Sequence, residues 1–211
     1  MSELDLLRGL PQGKRNIKQR ETAKTQALID LSREYGADYF DGSRDVRYGG
    51  RWVPVARDII AHYGLMPGDR ILDVGCAKGF LVKDLLAEGI DAYGVDVSHY
   101  ALLNCEPEVV GRLHIGSAER LPFPDASFAV VLAINTLHNL KKPDLIAALH
   151  EMERLATRGK FLQVDSYRTE AEKEIFESWV LTAYTHDYPD GWRRIFDEAG
   201  YTGDYNWTLI N

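Results

Sequence analysis

Cysteine is scarce here, with only Cys76 and Cys105 in 211 residues. Two distant thiols cannot build a disulfide framework, and they lack the paired spacing of a zinc site, so reduced thiols and a cytoplasmic setting are expected. Long apolar runs are also missing. No stretch approaches the roughly 20 apolar residues that span a bilayer, and the opening MSELDLLRGL lacks the apolar core of a secretion signal. Positive charge is in deficit as well: 25 Lys and Arg stand against 32 Asp and Glu, a net charge of −7. A phosphate backbone is attracted chiefly by clustered Lys and Arg, so neither nucleic acid nor membrane is expected as a partner. Lys14, Arg15, Lys18 and Arg20 read as a solvated helix face.

What is present is the composition of a globular domain, 45% hydrophobic and 27% charged, at a length that buries a full core. The first 55 residues are rich in charge and turn formers and read as a helical or loop cap segment. Residues 56–211 read as the main domain. Ala56, Ile59, Ile60 and Tyr63 recur at helical spacing and stop at Gly64. Beyond Arg70, short apolar runs alternate with helical patterns, the mark of a mainly parallel sheet with helices on both faces. Strands are predicted at Arg70–Val74, Ala92–Val95, Arg112–Ile115, Phe128–Ile134, Lys160–Val164 and Tyr205–Ile210. Helices are predicted after Gly79, after an N-cap at Ser98, through Leu145–Met152, over Glu170–Ala183 and over Trp192–Ala199.

The first strand runs into Asp73-Val74-Gly75-Cys76-Ala77-Lys78-Gly79, a glycine turn that opens a helix. Open α/β sheets bind ligands at that end of their strands, and glycine there gives a ligand bare backbone to press against. About 20 residues on, the second strand ends at Asp96, where a carboxylate can accept hydrogen bonds from a ribose diol. The dinucleotide alternative would need G-x-G-x-x-G, a spacing that Gly75 and Gly79 do not fit.

These residues resemble the first motif of class I S-adenosylmethionine-dependent methyltransferases, an acid followed by three alternate glycines, with Ala77 in place of the middle one. The resemblance continues through Gly94-Val95-Asp96-Val97-Ser98 and GSAERLPFPDASFAVVLAINTLHNL, which is similar to small-molecule methyltransferases of the ubiquinone and menaquinone, type 11, branch. It covers about Arg70 to Val164 and implies a Rossmann-like fold binding S-adenosylmethionine. It implies that Asp73, Gly75, Cys76, Ala77 and Gly79 lie against the methionine part, Asp96 and Val97 at the ribose, and Ser117 and Ala118 beside the adenine. Asn135 falls near the methionine end. The usual sheet of that family carries two strands after its last helix; here only one is predicted, leaving an edge to be covered by another segment or a second copy of the chain.

The acceptor is expected to be a small molecule, with methylation of O, N or C left open. Methylation of RNA or protein, and cofactor binding without turnover, are the alternatives. His138 follows the fourth strand on the ligand-bearing rim and is a candidate general base, or else a histidine packing the adjoining helix. Asp165, with Tyr167 and Arg168, holds the equivalent position after the fifth strand, and His186 lies in the segment between the last two helices. These three lack a ligand-spacing signature, so no metal is predicted. Upstream, Tyr39, Phe40, Arg44, Arg47, Tyr48, Arg51 and Trp52 sit on a glycine-broken loop that reads as a lid or a surface loop, its arginines suited to an anionic substrate.

Overall fold

The computed structural model describes residues 1–10, 17–42 and 48–209. The predicted Lys14, Arg15, Arg44, Arg47 and Ile210 and the Arg20 side chain lie outside the described residues. The most apolar stretch of the chain, Phe128–Ile134, is strand β4 and lies centrally, because only a strand covered on both faces can be apolar throughout. Its neighbours are β1 (Arg70–Val74) on one side and β5 (Ala156–Asp165) on the other. With β2 (Asp91–Asp96), β3 (Leu113–Ile115) and β6 (Asp204–Thr208), the six strands run in the order β3-β2-β1-β4-β5-β6, every pair parallel. The chain builds outward from β1 to β3, then returns to the far side of β1. The β1/β4 boundary is therefore the switch point at which such sheets leave a crevice.

Alternation of side chains sends the two faces into separate cores. Leu72, Val74, Val131 and Ala133 pack under α6 (Lys142–Leu155) and α8 (Pro189–Glu198). Ile71, Val130 and Leu132 pack under α3 (Val53–Tyr63) and α4 (Phe80–Ala87). A register irregularity between Phe128 and Val130 turns Phe128 onto the α6 face, although two residues of simple alternation would put it with Val130. The helix after β2 is α5 (His99–Leu103), capped as predicted by Ser98, whose Oγ accepts from Ala101 N–H at 3.0 Å.

Several boundaries differ from the sequence reading. The N-terminal third holds two short helices, α1 (Ile17–Ala23) and α2 (Gln26–Arg33), and a π-helical turn at Asp38–Gly42. Helix α3 starts at Val53, with Pro54 in its first turn, so the predicted division at residue 56 falls inside it. Helix α7 (Glu170–Trp179) ends four residues short of Ala183. The amides of Tyr184 and Thr185 both donate to the His138 carbonyl at 3.0 Å, a tertiary pairing that outweighs further helical turns.

One strand follows α8 among the described residues, and it pairs directly with β5. Its outer edge is not bare. Leu4 N–H donates to the Tyr205 carbonyl at 2.8 Å, and Tyr205 N–H donates to the Ser2 carbonyl at 3.0 Å, so the chain's own first residues cover the edge for which a second copy was considered. No helix is long and apolar enough to cross a membrane among the described residues.

Candidate functional site

The carboxyl ends of β1, β2, β4 and β5 open into one cavity of about 1020 Å³, roofed by residues of the N-terminal third. At the end of β1 the backbone turns sharply: Gly75 and Cys76 both donate to the Val95 carbonyl, at 2.7 and 3.1 Å, which fastens the turn to β2. Gly75 has φ +79°, and a Cβ there would overlap the Thr136 side chain, so glycine is required twice over. Thr136 lines the cavity too, and nothing in the sequence marked it out.

Ala77 has φ +51°, in the left-handed region where an alanine is strained and a glycine is not. Two contacts hold it. Its N–H donates to Asp96 Oδ2 at 2.8 Å, and its methyl packs on the cluster of Tyr39, Phe40 and Ala101. The N-terminal segment thus rests on the residue where the motif departs from three glycines. Lys78 Nζ reaches Asp41 Oδ1 at 2.5 Å, the Tyr100 hydroxyl also donates to Asp41, and Ser98 Oγ donates to the Tyr35 carbonyl at 2.6 Å. Of the predicted lid residues, Tyr39, Phe40, Arg51 and Trp52 line the cavity. Tyr48 instead donates to the buried Asp84 on α4 at 2.6 Å.

Two carboxylates face this cavity from adjacent strands. Asp96 accepts from Ser98 N–H at 2.8 Å as well as from Ala77. Burial raises its pKa, and the backbone N–H groups of Ser98, Ala77 and Val97 pull the other way. Asp73 is fully enclosed, and burial together with the charge of Asp96 pushes it up to about 7. A cation between them would relieve both. Burial and Asp73 also raise the Cys76 thiol well above its ordinary value, which keeps it protonated and unreactive.

Val97, Ser117, Ala118 and Asn135 line the same cavity as Asp73, Gly75, Cys76, Ala77 and Asp96. The Ser117 hydroxyl donates to Glu119. Asn135, at φ +55°, accepts at Oδ1 from the Thr208 hydroxyl at 2.6 Å, so its amide N–H₂ is the end left for other partners. Gly79 does not line the cavity. It caps α4 with φ +76°, and a Cβ there would press on Leu113 and Val109, so its role is to let the helix sit close to β3.

His138 and Asp165 come together at the other end of the cavity. His138 is 4% exposed. The backbone N–H of Asp165 donates to its Nδ1 at 3.1 Å, and its Nε2 stands 3.4 Å from Asp165 Oδ2. With Nδ1 accepting, the neutral ring carries its proton on Nε2, facing the carboxylate. His186 is elsewhere. It borders a second cavity of about 410 Å³ with Lys141, Lys142 and Arg194, its Nδ1 lies 3.2 Å from the Tyr167 hydroxyl, and burial lowers its pKa. His186 thus borders a different cavity from the other two candidates, though Asp165 is near enough to act on its charge. No group of three or more metal-ligating side chains occurs among the described residues.

Arg33, Trp179, Leu181 and Tyr184 also line the main cavity and carried no sequence signal. They come from α2, from the last residue of α7 and from the segment after it, brought together only by the fold.

Residues 72–164 match the type 11 family described as "Methyltransferase domain". A demethylmenaquinone methyltransferase from Mycobacterium sp. (strain KMS) is 32% identical over 130 residues, 60% of this chain and 55% of that protein. A ubiquinone biosynthesis O-methyltransferase from Alkalilimnicola ehrlichii is 29% identical over 154 residues, 69% of this chain and 58% of that protein. The chain thus spans little more than half the length of these relatives. Among solved structures, the YcgJ protein of Bacillus subtilis aligns with TM-score 0.56 at 18% identity, over 68% of this chain and 66% of that one. A SAM-dependent methyltransferase from Methanosarcina mazei aligns with TM-score 0.54 at 19% identity, over 67% and 82%. Both share the fold.

Proposed function

We propose that this protein, whose residues 72–164 match the methyltransferase domain family, moves a methyl group from S-adenosylmethionine to a small organic acceptor. The observation that carries the proposal is the pair Asp73 and Asp96 on adjacent strand ends, in a cavity that also holds the His138–Asp165 pair. The first pair suits a cationic nucleoside, and the second can handle a proton.

In this reading Asp96 accepts the ribose hydroxyls, and the open backbone from Gly75 to Ala77 bears on the methionine part beside Asp73. Ser117 and Ala118 flank the adenine, Val97 covers the ribose, and Asn135 offers its amide N–H₂ near the methionine end. Two enclosed carboxylates, one pushed up to about 7, fit a ligand that brings a sulfonium and an ammonium. S-adenosylmethionine supplies a methyl already activated on sulfur, so the protein's tasks are alignment and exclusion of water. Alignment of this kind contributes on the order of 7–11 kcal/mol, whereas a general base adds roughly 10²–10⁴-fold.

We assign the base to Asp165 and a positioning role to His138. The Nδ1 lone pair of His138 is engaged by the Asp165 backbone, and its Nε2 proton steadies the Asp165 carboxylate, which faces the cavity. His186, in the second cavity, takes no part in the transfer. Of the N-terminal third, residues 17–42 act as a cap over the catalytic unit, held down by Asp41 on Lys78. A cytoplasmic location accords with two free thiols. With Ser2–Leu4 on the β6 edge, the reading requires no second copy there.

The test is incubation of the protein with isotope-labelled S-adenosylmethionine and a metabolite extract, followed by mass spectrometry. A labelled small molecule is expected. Label only in RNA or protein would replace the acceptor class, and no binding of S-adenosylhomocysteine by calorimetry would end the reading altogether.

A further inference from the structure

Arg33, the last residue of α2, presents an unsatisfied group to the cavity. Its guanidinium carbon lies 3.9 Å from the centre of the Tyr184 ring, and its Nε is buried without a hydrogen-bond partner. No carboxylate among the described residues pairs with it, although Asp73, Asp96 and Asp165 face the same cavity. A guanidinium held against an aromatic ring is restrained in position, and its planar fork of N–H groups suits a planar, two-oxygen acceptor. A buried Nε left unpaired on the wall of a cavity is open to a partner that arrives with a ligand.

Position says which ligand. Tyr184, beneath Arg33, is anchored through its amide to the His138 carbonyl, and Arg33, Tyr184, His138 and Asp165 all line the same cavity. Its neighbours in the wall include Trp179 and Leu181, an apolar surface for a flat organic body. Only two cations, Arg33 and Arg51, line the cavity among the described residues, against three carboxylates. A singly charged carboxylate suits that balance better than a doubly charged phosphate.

We propose that Arg33 is the specificity-determining residue of the acceptor site, and that the acceptor is a small, flat organic molecule bearing a carboxylate. The carboxylate forks onto the Arg33 guanidinium over Tyr184, which turns the nucleophilic atom of the acceptor toward Asp165. This assignment rests on the methyltransferase reading for the word acceptor, while the anion site itself does not need it. The rival occupant is the carboxylate of the methyl donor.

The experiment pairs acids with their amides: benzoate with benzamide, 4-hydroxybenzoate with 4-hydroxybenzamide, and cinnamate with cinnamamide. Each is titrated calorimetrically into the full chain with and without S-adenosylhomocysteine. At least one acid is expected to bind about tenfold more tightly than its amide, a preference that Arg33→Gln reduces to about twofold or less and Arg33→Lys only partly retains. S-adenosylhomocysteine affinity is expected to stay at the wild-type value in both variants, which also reports that they are folded. The proposal is overturned if no acid outperforms its amide in the wild-type chain, or if the preference survives Arg33→Gln. It is equally overturned if Arg33→Gln weakens S-adenosylhomocysteine, since the arginine would then serve the donor. Loss of wild-type S-adenosylhomocysteine binding with the acid preference intact would sink the methyltransferase reading and leave the anion site standing.

Discussion

Asp165 holds His138 from two directions: its backbone N–H donates to Nδ1 at 3.1 Å while its carboxylate Oδ2 stands 3.4 Å from Nε2. One residue thereby sets both the tautomer and the tilt of the ring. Asp165→Asn removes the base and is expected to lower turnover by roughly 10²–10⁴-fold with S-adenosylhomocysteine affinity retained. His138→Ala should cost turnover less, and in addition about 1–3 kcal/mol of stability, because the Asp165 N–H is then buried without an acceptor. Labelled-methyl assays and urea titrations on the two variants separate these effects. A larger turnover loss in His138→Ala than in Asp165→Asn would reverse the roles.

Asp96 ties the turn after β1 to the end of β2 through Ala77 and Ser98. A charge-assisted hydrogen bond is worth about 1.5–3 kcal/mol, so Asp96→Ala should weaken S-adenosylhomocysteine by about 10- to 150-fold. Calorimetry reads this directly, and an unchanged dissociation constant would remove Asp96 from the ribose.

The raised pKa of Asp73 makes donor binding depend on pH. A cationic ligand favours the ionised carboxylate, so binding below pH 7 must expel a proton, and affinity for S-adenosylmethionine should fall about tenfold between pH 8 and pH 6. The ligand-free protein behaves in the opposite sense. A carboxyl raised from 3.8 to about 7 by folding contributes most stability below its unfolded value, and that contribution fades as the pH climbs to 7. Asp73→Asn should flatten both profiles; a binding curve just as steep in that variant would assign the pH dependence to another group.

Ala77 sits where left-handed backbone excludes branching at Cβ. Ala77→Gly trades lost packing on Phe40 against relieved strain, and its stability should stay within about 1 kcal/mol of the parent. Ala77→Val should cost about 2 kcal/mol or more. Equal urea midpoints for the two variants would show that the turn is less constrained than its φ implies.

Much of the domain was legible because periodicity is local. The run from Phe128 to Ile134 announces a central strand by itself, and the acid–glycine turn with Asp96 after it marks the ligand end of the sheet. Ser98 caps its helix as its hydroxyl suggests. What escaped was whatever depends on distant partners. Glu170–Ala183 has helical character throughout, but the His138 carbonyl draws Tyr184 and Thr185 away and ends the helix at Trp179. His138 and His186 look alike in the sequence, and only the path of that segment sends one to the main cavity and the other to the smaller one. Gly79 matches the motif as Gly75 does, yet it serves the packing of α4 on β3. Arg33 belongs to an amphipathic helix like any other until Tyr184 is set beneath it.

The pairing of Ser2, Glu3 and Leu4 with Tyr205 has a temporal consequence. Ser2 N–H also donates to the Asp204 carboxylate at 3.1 Å, across 202 positions of chain. A pairing so distant along the chain must offset the entropy of closing a very long loop before its hydrogen bonds reward it. The rim is therefore a long-range closure that couples residues 2–4 to β6 and makes its own formation a slow step.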